Sequence, residues 1–174
     1  LRKGEILALL GENGSGKTTL MNMLSGIYTP DSGSVFVDGK KVQISSPEDA
    51  SNLGIGMVHQ HFKLIDKFSA ADNILIGKKN KGKNGFLLGK GRYKEIEDMA
   101  AKFGFEIDAT KTVENMAVSE KQTLEIIKVL CYGAKTVILD EPTAVLTIQE
   151  TRKLFDVLRK MKRSEERRVG KECR

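Results

Sequence analysis

The sequence predicts an α/β fold, and three observations predict it. An unbroken apolar run, Ile6–Leu10, leads straight into a glycine-rich turn, Gly11–Gly16, and then into a stretch of helical periodicity, Lys17–Ser25. A second apolar run, Thr136–Leu139, returns late in the chain and ends on two carboxylates, Asp140 and Glu141. From His61 to Cys131, between the two, the pattern is helical. Strand, glycine loop and helix, then an inserted helical stretch, then strand and helix again is the order of an α/β domain with an α-helical insertion.

The elements follow in order. Ile6–Leu10 carries no polar alternation, which predicts a central strand buried on both faces. Lys17–Ser25 places Leu20, Met23 and Leu24 on one helical face. Tyr28–Gly33 is a turn, and Ser34–Val37, Asp38-Gly39 and Lys41–Ile44 predict a hairpin with an Asp-Gly connection. Pro47–Asn52 predicts a short helix with proline in its first turn, and Ile55–Val58 a short strand. Helical patterns cover Ser69–Ile76, Arg92–Phe103 and Ser119–Leu130, with a Gly-, Lys- and Asn-rich loop over Lys78–Lys90. A last amphipathic helix is expected over Ile148–Met161.

Composition narrows the class. Of 174 residues, 40% are hydrophobic and 30% charged, which excludes a disordered chain. The apolar runs are strand-sized, far short of the roughly 20 residues of a transmembrane helix. Two cysteines, Cys131 and Cys173, make neither a disulfide framework nor a zinc spacing. His59 and His61 sit two apart with no third ligand, so no metal site is expected there. The net charge of +6 is spread thinly, and no nucleic-acid partner is expected. Lys78, Lys79, Lys81, Lys83, Lys90, Arg92 and Lys94 form a solvated run, with proximity to anionic lipid headgroups as the weaker alternative.

Two motifs carry chemistry. Gly11-Glu-Asn-Gly-Ser-Gly-Lys17-Thr18 fits the phosphate-loop pattern at every fixed position. Glycines let consecutive N–H groups turn toward phosphate oxygens, and the following helix adds its positive N-terminal end. Asn13, Gly14, Ser15, Gly16, Lys17, Thr18 and Thr19 are the candidate ATP-binding residues, with Lys17 set for the β- and γ-phosphates and the Thr18 hydroxyl for Mg²⁺. Asp140, at the end of an apolar strand, suits the same Mg²⁺, and adjacent Glu141 suits the general base that polarises an attacking water. Alone, an apolar run ending in Asp-Glu is common at strand ends; downstream of a phosphate loop it acquires this role.

With Gly11–Thr18 and Ile138–Thr143 in view, Leu1 to Lys162 resembles the ATP-binding subunit of ABC transporters. The resemblance implies a P-loop NTPase core of ABC type with an antiparallel β subdomain and an inserted helical subdomain at about 61–131. It also implies two parts of the domain outside this chain: an adenine-stacking segment upstream of Leu1, and a C-terminal part with a further strand and the switch histidine. Gly54–Gln60 looks like the strand entering the Q-loop, which makes Gln60 a catalytic and metal-sensing candidate. Val113–Ala134 looks like the signature region and its helix, and Ala144–Thr147 sits where the D-loop belongs. The wording of Met57–Phe62, Leu124–Leu130 and Glu141–Thr147 looks like the N-terminal cassette of double-cassette importers for nucleosides and simple sugars. The partners implied are transmembrane permease subunits and a second cassette, fused in the full-length protein, at the cytoplasmic face of the membrane.

The chain departs from that pattern at the signature. Met116–Glu120 occupies its place, with Ala117, Val118, Ser119 and Glu120 facing the partner's ATP in the implied dimer. Ala117 stands at the serine position, so a hydroxyl donor is missing; one lost hydrogen bond to a charged group weakens such a contact by about 1.5–3 kcal/mol. Ser119 also reads as the N-cap of the helix that follows. Two alternatives to an importer ATPase stand beside it: a regulatory cassette with a degenerate signature, and a soluble ABC ATPase outside transport. The last twelve residues, Arg163–Arg174, look like a frame-one translation of a common sequencing-library adapter and are expected to be non-native. They hold five basic and three acidic residues, so +4 of the charge stays on Leu1–Lys162.

Overall fold

The computed structural model describes residues 1–2, 4–59, 62–76, 90–143, 146–149, 151–152, 154–156, 158–159 and 162. The chain divides into two compact units, one of residues 9–61 and 129–142, the other of residues 1–8, 62–128 and 143–174.

The first unit carries helix α1 (Lys17–Leu24), the hairpin β1 (Val35–Val37) and β2 (Lys40–Val42), helix α2 (Pro47–Asn52), and strands β3 (Ile55–Val58) and β4 (Thr136–Leu139). The hairpin is antiparallel with Val37 opposite Lys40. Asp38 and Gly39 between them both take positive φ, 49° and 75°, the two-residue turn whose twist matches its strands. α2 begins where the Ser46 side chain accepts the Asp49 N–H at 3.1 Å and Pro47 supplies a pre-set φ. β3 and β4 lie parallel in register, Ile55 beside Thr136 and Val58 beside Leu139. Gly56 is required here, because a Cβ on it would lie 2.2 Å from Val129 Cγ1. Ile44, Ala50, Val58, Val129, Leu130 and Ile138 are its buried apolar residues.

Two expectations for this region fail. Ile6–Leu10 is not a buried strand: it has no strand pairing, and Leu7 and Leu10 are 68% and 88% exposed. A central strand is buried only between hydrogen-bonded neighbours, and among the described residues the ladder of β3 and β4 extends to no part of this run. For the same reason α1 buries no residue, and Leu20 on its expected apolar face is exposed.

The second unit is helical. α3 (Ala70–Leu75) starts with a full capping box, the Ser69 hydroxyl accepting the Asp72 N–H at 3.1 Å while the Asp72 carboxylate accepts the Ser69 N–H at 3.2 Å. α4 spans Lys90–Lys102, two residues earlier than expected at its start. A short 3₁₀ turn, Val113–Asn115, leads to α5 (Val118–Cys131), whose last residues, from Val129, belong to the first unit. Ala70, Ala71, Ile74, Ala100, Val113, Leu124, Ile126 and Ile127 are completely or almost completely buried. Described residues between 148 and 162 are helical, as the amphipathic pattern predicts. The expected loop falls mostly on residues 77–89, and it and the tail at 163–174 lie outside the described residues. No helix among the described residues is long and apolar enough to cross a membrane.

Candidate nucleotide site

The glycine loop folds as its spacing requires. Gly14 and Gly16 take φ of 83° and 88°, a region that penalises any side chain. Ser15 N–H donates to the Glu12 carbonyl at 3.2 Å, and Leu20 N–H to the Gly16 carbonyl at 2.9 Å, so the loop passes directly into α1. The Lys17 ammonium lies over the loop, 2.6 Å from the Gly11 carbonyl, 2.7 Å from that of Glu12 and 3.4 Å from Ser15 Oγ. Gly11 is tight against Ser15, whose Oγ would be 2.7 Å from an added Cβ. No side chain caps the start of α1 and no acid sits in its first turn. An uncapped helix N-terminus with a lysine over a glycine loop is an anion site by construction. Asn13 and Thr18–Thr19 are exposed along the same stretch.

The carboxylates come from the parallel pair. Asp140 follows the last residue of β4 and continues the ladder by donating its N–H to the Val58 carbonyl at 3.2 Å. Its position is half-buried, and Glu141 beside it is exposed at φ 46°. A non-glycine residue held at positive φ at a strand end is uncommon, and such positions gather at functional sites. His59 follows the neighbouring end of β3; Gln60, His61, Ala144 and Val145 lie outside the described residues. Carboxyl ends of adjacent parallel strands are where open α/β sheets bind ligands. Among the described residues no three His, Cys, Asp or Glu side chains cluster as a metal site. The Thr18 hydroxyl and Asp140 carboxylate are hard oxygen donors of the kind Mg²⁺ takes alongside nucleotide phosphates.

The signature residues belong to the other unit and differ from the expectation. α5 begins at Val118, with the Ala117 carbonyl accepting the Lys121 N–H at 3.0 Å, so Ala117 and not Ser119 holds the cap position. Ser119 lies inside the first turn, past the point where a side chain caps. Glu120 does the capping instead: its Oε2 accepts the Ala117 N–H at 2.7 Å, the returning half of a capping box. Lys111 Nζ stands 2.8 Å from both Glu120 oxygens. That hydrogen bond, and then the Ala117 amide, hold the Glu120 carboxyl below the usual glutamate range. The sequence signal for this contact is a glutamate three residues after Ala117, and it was outweighed by the serine next to it. A cavity of about 850 Å³ beside this turn is lined by Glu97, Asp98, Phe105, Met116, Ser119 and Glu120, and contains no residue of the phosphate loop.

The glycine loop, Lys17 and the Asp140–Glu141 strand end define the class: a P-loop nucleotide-binding protein. Residues 1–144 match the ABC transporter family, and the chain belongs to it. It is 47% identical over 161 residues to the guanosine import ATP-binding protein NupO of Bacillus subtilis, covering 92% of this chain and 31% of that protein. It is 46% identical over 162 residues to the nucleoside import ATP-binding protein NupA of Lactococcus lactis, covering 92% and 32%. The ribose import ATP-binding protein RbsA 1 of Burkholderia thailandensis is 42% identical over 161 residues, covering 92% and 32%. The chain thus spans about a third of the length of these relatives.

Among solved structures, cbiO1 of Clostridium perfringens, part of the ABC transporter complex cbiONQ, has a TM-score of 0.76 at 28% identity, over 95% of this chain and 65% of that one. The ADP conformation of MJ1267, an ATP-binding cassette of an ABC transporter, has a TM-score of 0.80 at 20% identity, over 94% and 68%, and shows the fold alone. The fold is the P-loop NTPase fold of ABC cassettes.

Proposed function

We propose that this chain is part of an ATPase that binds MgATP and hydrolyses it to drive solute import through a membrane permease. The observation that carries the reading is the glycine loop with Lys17 over it at the uncapped start of α1. Main-chain amides of Asn13–Thr19 and the Lys17 ammonium hold the phosphates, and Asp140 with the Thr18 hydroxyl and Gln60 holds Mg²⁺. The metal, when bound, neutralises phosphate charge. Glu141, exposed at the end of β4, takes the proton of the attacking water. Three relatives named for guanosine, nucleoside and ribose import support nucleosides or simple sugars as the solutes. In this reading the protein sits at the cytoplasmic membrane face with permease subunits and a second cassette, residues 61–131 are its helical subdomain, and 163–174 are adapter-derived. The nucleotide sequence beneath the tail tests that last point.

The test of function is phosphate release by the full-length protein assembled with its permease. Glu141→Gln is expected to lower turnover by about 10²–10⁴, the range of general-base catalysis, while ATP still binds. Full turnover by Glu141→Gln would remove the base from this reading. One observation favours a second reading, a cassette that binds ATP in a regulatory role: Ala117 has no hydroxyl, and its amide is already taken by Glu120.

A further inference from the structure

The carboxyl end of the parallel pair carries a side chain that the MgATP reading does not use, His59, one of two histidines in the sequence. β3 and β4 pair Met57 with Ile138 and Val58 with Leu139. The Asp140 N–H, bonded to the Val58 carbonyl at 3.2 Å, continues the ladder beyond them. The next step in register sets His59 beside Asp140, on strands about 4.8 Å apart. Side chains alternate along a strand, so those of His59 and Asp140 fall on one face, the face of Met57 and Ile138. Both positions are half-buried, unlike Glu141, which is exposed.

This register has little freedom to change. At the start of the pair the Gly54 carbonyl accepts the Lys135 N–H at 2.7 Å and the Thr136 N–H at 3.0 Å. In the middle, a Cβ on Gly56 would stand 2.2 Å from Val129 Cγ1 and 3.1 Å from Ala134 Cβ. A slip by one residue would push Ile55 or Met57 into that gap and turn His59 to the face opposite Asp140. The packing that admits only glycine at 56 therefore also decides which side chain accompanies the carboxylate.

An imidazole is a poor ligand for Mg²⁺, which takes oxygen donors and keeps several of its waters. It is a good partner for those waters, since one ring nitrogen donates a hydrogen bond and the other accepts one. We propose that His59 is a positioning residue of the nucleotide site: it hydrogen-bonds a water retained by the Mg²⁺ at Asp140, and so fixes the ion without ligating it. The inference rests on the MgATP reading above and adds a residue to that site.

Mn²⁺, which takes the same oxygen donors, serves as the probe, bound to the full-length protein with a non-hydrolysable ATP analogue. With histidine labelled by ¹⁵N, electron spin-echo envelope modulation reads histidine nitrogen close to the ion. The wild type is expected to show a weak component, short of a direct Mn–N bond, that is kept in His61→Ala and lost in His59→Phe. Phenylalanine keeps a flat ring at the position and removes both nitrogens. In His59→Phe the affinity for Mn²⁺ falls about tenfold, the lower end of what groups behind the ligands contribute. Binding of the analogue without metal stays unchanged. His59→Gln, which keeps a donor and an acceptor, restores the affinity but not the modulation, and it carries the spectroscopic test if His59→Phe fails to fold. An unchanged spectrum in either variant at 59, a component lost in His61→Ala instead, or Mn²⁺ affinity within twofold of the wild type in His59→Phe overturns the role of His59 alone. A wild-type protein that binds neither the analogue nor Mn²⁺ overturns the functional reading, and this inference with it.

Discussion

Two helix starts in this chain solve the same electrostatic problem in opposite ways. Each presents main-chain N–H groups with no partner inside the helix. At α5 the chain supplies its own anion: Glu120 takes the Ala117 N–H and is held in turn by Lys111. At α1 it supplies none, with no capping side chain, no acid in the first turn, and a lysine laid over the preceding loop. α2 and α3 side with α5, capped by Ser46 and Ser69. The α1 start is therefore where a phosphate gains most, and the α5 start is where it must compete with a carboxylate already in place.

The sharpest break in this contrast is Lys17→Ala. Removing the ammonium takes away a charged hydrogen-bond donor worth about 1.5–3 kcal/mol, so ATP affinity is expected to fall about 10- to 100-fold. Equilibrium binding of a fluorescent ATP analogue to the full-length protein measures it. An affinity within twofold of the wild type would mean that the uncapped α1 start is not the phosphate site.

The α5 start predicts a smaller effect with the opposite sign for binding. Glu120→Ala removes the carboxylate cap, which by the usual worth of helix caps costs about 1 kcal/mol and lowers the melting temperature by about 2–4 °C. The same change, combined with Ala117→Ser to supply a hydroxyl, is expected to raise turnover in the assembled transporter by about tenfold, one recovered hydrogen bond to a charged group. Unchanged turnover in the double variant would make the departure at the signature irrelevant and would favour the importer over the regulatory reading.

What could be read from the sequence was local. The phosphate loop follows from fixed spacing, the hairpin from Asp38-Gly39, and α2 from Ser46-Pro47, each decided within eight residues. β3 and β4 were legible because short apolar runs bounded by turns have few other fates. Ile6–Leu10 had the same appearance and failed, because burial on both faces depends on neighbours that the run itself does not specify. The hydrogen bond from the Lys63 N–H to the Glu125 carboxylate, 2.8 Å long, left no local trace at all: the two residues are 62 positions apart, and nothing in either stretch announces the other. At the signature the competition was between two adjacent residues. A serine is the better cap in isolation, but the helix begins two residues too early for Ser119, and the longer glutamate reaches back.

Acid distinguishes the two starts by the smallest measurable effect. The Glu120 carboxyl is held below the usual range, first by Lys111 and then by the Ala117 amide. Asp108, which takes the Thr110 hydroxyl and amide nearby, is likewise lowered, the hydroxyl first. For a group whose folded pKa is depressed, the stabilisation is complete above its unfolded pKa and is lost as pH falls through the folded one. Protection of the Ala117 and Thr110 amides, corrected for intrinsic exchange, should therefore hold from about pH 7 to the top of the carboxylate range and decline below about pH 4. Lys67 behaves in the reverse sense: its contact with Glu114 raises its pKa, so that contribution persists below the ordinary lysine value and is lost only as pH rises through the raised one. The α1 start has no acid in its first turn, so its amides should show no such decline. Parallel loss of protection at both starts on acidification would mean that a global transition, and not the Glu120 cap, sets the acid response.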